Sequence, residues 1–121
     1  MREAADALSR REPDIVRRSV DLVLERMPDY AAHLTEYGRM RCQEDARFHL
    51  SFLRAALVAD EHAMFVDYAR WARDLLARYR VPASVLAAML TALGDAVDEL
   101  APEAGPAARP VVDAGVAALA G

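Results

Sequence analysis

The sequence predicts an all-α fold of about six helices, and three observations carry that expectation. Apolar residues recur three and four positions apart between proline punctuation marks, the spacing of one helix face. No stretch alternates apolar and polar residues as a half-buried strand would. No self-similarity at 20–50 residues, the period of a repeat array, is present.

The first expected helix lies in "EPDIVRRSVDLVLERMPD", where Pro13 suits a helix start and Ile15, Val16, Val20, Val23 and Leu24 form one stripe before Pro28. "PDYAAHLTEYG" reads as a short helix or a pair of turns ending at Gly38. "RMRCQEDARFHLSFLRAALVAD" predicts a helix of about six turns. "EHAMFVDYARWARDLLARYR" predicts the next, with Phe65, Ala72, Leu75, Leu76 and Tyr79 expected in the core. Pro82 opens the helix of "PASVLAAMLTALGDAVDEL", and after "APEAGPAARP" a last Ala/Val-rich helix runs to about Ala120. The opening "MREAADALSRREPD" shows no apolar segment, and no helix is expected there.

With 121 residues, the chain is expected to form a single domain over 1–121. Its formal charge of -4 argues against a nucleic-acid partner, which needs a clustered basic face. All 15 basic residues are arginine, a coding bias from which no function follows. One cysteine cannot form an internal disulfide, which suits a reducing cytoplasm. No run approaches the roughly 18 apolar residues of a membrane span, and no signal peptide is recognised, so a cytoplasmic protein is expected.

The informative segment is "RMRCQEDARFHL", residues 39–50. On a helix, Gly38, Cys42, Asp45, His49, Leu53 and Ala56 share one stripe, flanked by Ala46, Leu50, Phe52 and Leu57. Gln43, Glu44, Arg47, Ser51 and Arg54 fall opposite, as a solvated face. A polar trio therefore points inward, and a buried carboxylate is costly unless something donates to it. One reading is structural: His49 at i+4 and Arg41 at i−4 supply the donors, and Cys42 is a small core residue. A nucleophile–base pair is disfavoured, because Cys42 and His49 lie about 10 Å apart along the axis. His33, His49, His62 and Cys42 match no metal-ligand spacing, so neither a metal site nor an enzyme is expected. A third reading places a linear tetrapyrrole above the helix: the carboxylate accepts from two pyrrole N–H groups, the thiol lies about one ring away, and arginines pair with propionates.

That third reading matches a family. Cys42, Asp45 and Leu50 form the C-x-x-D-x-x-x-x-L core of a helix with an arginine-rich lead-in, followed by Phe52, "AALVAD" (55–60) and "RVPASVLAAMLTALGDAVDEL". The series resembles the phycobiliproteins, and "DIVRRSVDLVLE" is similar to the helix preceding their chromophore helix. No counterpart is expected for the helices that precede this one in antenna subunits, since only about a dozen residues precede Pro13; Glu44 stands where arginine is common. His49–Leu50 and "MFVDYARWARDLLARYRVP" look more like the simpler bilin-binding globins outside antennae, including the helical domains of bacterial cobalamin-linked light sensors.

The resemblance implies a globin-like domain that binds a bilin, biliverdin before others, as a light sensor or pigment carrier. Carried over by position, Asp45 is the acceptor for the pyrrole nitrogens and Cys42 matches the thioether position, though simpler relatives often hold biliverdin noncovalently. His49 donates to a ring carbonyl or bridges through water, Arg39 and Arg41 meet the propionates, and Tyr68 and Trp71 wall the groove. For Trp71, plain core packing is an equal alternative. His33 and His62 are expected at the surface. Two other functions compete: a ligand-free sensor globin that recruits a protein partner, and a haem globin, for which His62 is badly placed as a proximal ligand. A homodimer through Val111, Val112, Val116 and Leu119 of the last helix is also expected.

Overall fold

A computed structural model describes residues 2–120. Among them the chain forms seven α-helices and one 3₁₀ turn, with no strand. The helices are α1 (Arg2–Arg10), α2 (Glu12–Arg26), α3 (Pro28–Ala32), α4 (Glu36–Ala59), α5 (His62–Ala77), α6 (Ala83–Leu100) and α7 (Gly105–Ala118); the 3₁₀ turn is Pro102–Ala104. The all-α expectation therefore holds. No helix among the described residues is long and apolar enough to cross a membrane.

The additional helix is α1, in the segment expected to carry none. Ala4, Ala5, Ala7 and Leu8 are all buried. Three alanines let this helix approach α4 and the 3₁₀ turn closely, so a segment with a single large apolar side chain still reaches the core. A helix does precede α2, short though the segment is.

α4 is the central element, touching α1, α2, α5, α6 and α7. Its start is set by Thr35, whose Oγ1 accepts from the Gly38 backbone N–H at 3.0 Å. Gly38 thus lies in the first turn of α4 and does not end the preceding segment. The helix stops at Asp60, in the left-handed region at φ 53°, with Asp60 N–H bonded to Leu57 O and Glu61 N–H to Ala56 O. This is a Schellman closure in which a short acidic side chain tolerates the glycine-like conformation. Arg80, at φ 61°, turns the chain after α5 in the same way, with Val81 N–H bonded to Leu76 O. Tyr79 falls in that turn and is 72% exposed, not in the core; the apolar spacing of α5 runs on past the helix end.

α2, α6 and α7 are tied at their surface by charge. Arg26 pairs with Asp95 at 2.7 Å, and Arg109 reaches Asp95 at 2.9 Å and Asp98 at 2.6 Å. Burial raises the Asp95 carboxyl, but the two guanidinium groups outweigh it and hold it below the usual carboxylate range. α7 begins at Gly105 and carries Pro110 inside the helix, earlier than the sequence break suggests. Of the four residues expected to face a second copy, Val111, Val112 and Leu119 are buried in the domain's own core and Val116 packs half-buried against it, so they form no open apolar face. Gly115 lets α7 meet α5: a Cβ there would stand 2.7 Å from the Phe65 ring.

Candidate functional site

The inward stripe of α4 is divided between two neighbours. Asp45 and His49 face α5, and Arg41, Phe48 and Phe52 of α4 with Tyr68, Trp71 and Leu75 of α5 help line an open crevice of about 280 Å³ between the two helices. Phe52, Tyr68 and Trp71 also border an adjoining hollow of about 390 Å³ with Met64 and Asp67. Cys42 does not line the crevice. It is 8% exposed and faces α2 and α6, in a cavity of about 10 Å³ shared with Ser19, Met89 and the other edge of His49.

Aromatic rings build the crevice wall. Phe52 stacks on Tyr68 with ring centroids 4.2 Å apart and planes 14° from parallel. Trp71 lies 6.0 Å from Tyr68 on the same helix, one turn on. Phe48 is 60% exposed and Trp71 58%, so both are rim residues. The core-packing alternative for Trp71 is thereby removed. Phe52, expected as a core flank, is likewise exposed on one side.

Asp45 sits half-buried at this wall. Neither expected donor serves it. His49 Nδ1 is 2.6 Å from the Tyr68 hydroxyl, and Arg41 pairs with Glu44 at 2.8 Å. Asp45 has no hydrogen bond or ion pair within 4 Å among the described residues. Burial pushes its carboxyl above the usual range; the Arg41 guanidinium opposes this and Glu44 adds to it. The Asp45 oxygens are not enclosed, so water reaches them, and a half-buried carboxylate with no protein donor and a raised pKa beside aromatic rings is the kind of group found where something binds.

His49 is 3% exposed, and burial pushes its imidazole down to about 4, so it is neutral at physiological pH. Burial also raises the Tyr68 hydroxyl, with the nearby Asp45 charge adding to the effect. On the far side of α4, Cys42 Sγ lies 3.6 Å from the Tyr30 hydroxyl. Burial raises the Cys42 thiol, a bond from Tyr30 partly offsets this, and the thiol form is favoured. Arg39 is exposed in the first turn of α4 and does not line the crevice, whereas Arg41 stands at its edge. His33 and His62 are exposed, as expected. No cluster of His, Cys, Asp and Glu that could hold a metal is present among the described residues.

Of the seven residues singled out in the sequence, Asp45, His49, Arg41, Tyr68 and Trp71 meet at one crevice, and Cys42 and Arg39 lie outside it. Phe48 and Phe52 belong to the site as well. Their spacing of four, on the helix edge between the stripe and the solvated face, was the available signal. Searched against known proteins, the chain matches no family model, and nothing similar is found among curated proteins or solved structures.

Proposed function

We propose that the chain binds a linear tetrapyrrole, biliverdin first among them, in the crevice between α4 and α5, as a globin-like light-sensing or pigment-carrying domain. One observation carries the reading: Asp45 presents a carboxylate without a donor into an aromatic-walled crevice. Pyrrole N–H groups are donors of the required kind, and the flat conjugated system suits the faces of Phe52, Tyr68 and Trp71. The hollow, about 390 Å³, lies in the range of small-molecule sites, roughly 300–1,000 Å³, and the crevice beside it, about 280 Å³, falls just under its lower end. Arg41, released from Glu44, is the basic group at the edge that meets a propionate. Binding is noncovalent in this reading, because the thiol faces the other side of α4.

Mixing the protein with biliverdin tests the reading. A red-shifted, sharpened visible band is expected, and acid-urea denaturation returns the free-pigment spectrum. A spectrum identical to that of free pigment at every protein concentration removes the proposal.

The exposure of Phe48 and Trp71 favours one alternative, a ligand-free module whose apolar rim receives a helix of a protein partner. In that case biliverdin leaves the spectrum unchanged, while Trp71→Ala still disrupts a complex.

A further inference from the structure

His49 Nε2 is fully enclosed and has no hydrogen-bond partner among the described residues. The other ring nitrogen decides which kind of partner it needs. Nδ1 lies 2.6 Å from the Tyr68 hydroxyl, whose proton has no other acceptor among the described residues. Tyr68 therefore donates and Nδ1 accepts. A neutral imidazole that accepts at Nδ1 carries its proton on Nε2, so the enclosed atom is an N–H donor. A buried donor left without an acceptor is strongly disfavoured.

The cavity on that side of α4 measures about 10 Å³ and is otherwise lined by Ser19, Cys42 and apolar side chains from α2, α4 and α6. That volume is at the lower bound, roughly 10–15 Å³, for one water molecule, and a buried water needs two to four polar partners. His49, Ser19 and Cys42 bring three polar groups to the cavity lining.

We propose that this cavity is a binding site for one structural water, which accepts from His49 Nε2 and donates toward Ser19 and Cys42. The water fixes the His49 tautomer, and the tautomer turns the Tyr68 hydroxyl proton inward. Tyr68 then has no proton to offer a crevice ligand, only oxygen lone pairs beside the Asp45 carboxylate. The crevice is thereby made a pair of acceptors, selecting ligands that present N–H donors and discriminating against those that present carbonyl or carboxylate oxygen at this point. The water site stands apart from the pigment reading; only its consequence for the ligand rests on it. His49 is a positioning residue that acts through Tyr68.

The test uses the ligand-free, full-length chain at pH 7 with ¹⁵N-labelled histidine. Long-range ¹H–¹⁵N correlations, assigned to His49 by their loss in His49→Gln, are expected to show a protonated Nε2 and a bare Nδ1. A cross-peak from the ring to a long-lived water is expected beside them. A proton on Nδ1, or an Nε2–H with no water cross-peak, overturns the proposal. Ser19→Val removes the hydroxyl and sets two methyls on Cβ, which fill the cavity, and loss of the water cross-peak is expected. A cross-peak that persists in folded Ser19→Val places the water elsewhere and also refutes the site. Because no pigment is present, failure here is separate from failure to bind one.

Discussion

Replacing His49 by glutamine should make the protein less sensitive to acid, by an amount that the enclosure of the imidazole sets. In the fold the ring is 3% exposed and burial holds it at about 4, against about 6.5 for a histidine in an unfolded chain. Between those values the unfolded chain binds a proton that the native chain refuses, so stability falls as pH drops through the window. Above pH 6.5 the native state suffers no such loss; below 4 both states are protonated and the loss is complete. At about 1.4 kcal/mol per pH unit the full loss is about 3 kcal/mol, and between pH 7.5 and 4.5 most of it, about 2–3 kcal/mol, is incurred. Carboxylates also titrate over that interval, and for this reason the comparison is a double difference. Urea unfolding of both proteins at pH 7.5 and 4.5 yields two changes in unfolding free energy. The wild-type change should exceed that of His49→Gln by about 2–3 kcal/mol, a large fraction of a typical domain's stability. Parallel pH dependences would refute the reasoning, since they would mean that the imidazole protonates as readily in the fold as in the unfolded chain.

Asp45→Asn should raise the melting temperature at pH 7 while weakening and blue-shifting the biliverdin band. The folded carboxyl lies above its unfolded range, so the charge destabilises the fold increasingly as pH rises through that window, and the gain should vanish in acid; an unaltered spectrum removes Asp45 from the site. Gly115→Ala should cost about 1–2 kcal/mol in chemical denaturation, because a Cβ 2.7 Å from the fully buried Phe65 ring outweighs the roughly 1 kcal/mol helix propensity that alanine adds. Gly38→Ala is the contrast: its one tight contact is the far end of the Leu34 side chain at 3.0 Å, which can turn aside, and Thr35 Oγ1 at 3.5 Å is at ordinary distance, so propensity prevails and the melting temperature rises slightly. Leu8→Ala should lower the unfolding free energy from urea denaturation by about 2–5 kcal/mol, showing that α1 is part of the folded unit.

Much of the helical framework is legible in the sequence, because its signals are local. Pro13, Pro28 and Pro82 stand at or beside the first residues of α2, α3 and α6, and the apolar period of α4 is long enough to be unambiguous. α1 is not legible in the sequence because burial there is achieved largely by alanines, whose small area gives a weak pattern. Asp45 and His49 are recognisable as inward residues from the helical wheel alone. What the wheel does not resolve is which neighbour each one meets. Cys42 and Asp45 are three residues apart, close enough in angle to read as one stripe, yet the boundary between α5 and the α2–α6 side passes between them. Likewise His49 bonds to Tyr68, nineteen positions away, in preference to a carboxylate one turn away. Partner choice of that kind is decided by tertiary packing. The valines of α7 illustrate the same point, since an apolar terminal helix predicts burial but not whether its cover is the same chain or another.

The placement of Cys42 behind α4 has a practical corollary. As the chain's sole sulfhydryl, screened from the medium and from the aromatic cleft alike, it should react with alkylating reagents only when α2 or α3 lifts away from α4. Labelling kinetics would then act as a clock for opening of that half of the molecule, indifferent to whatever occupies the other.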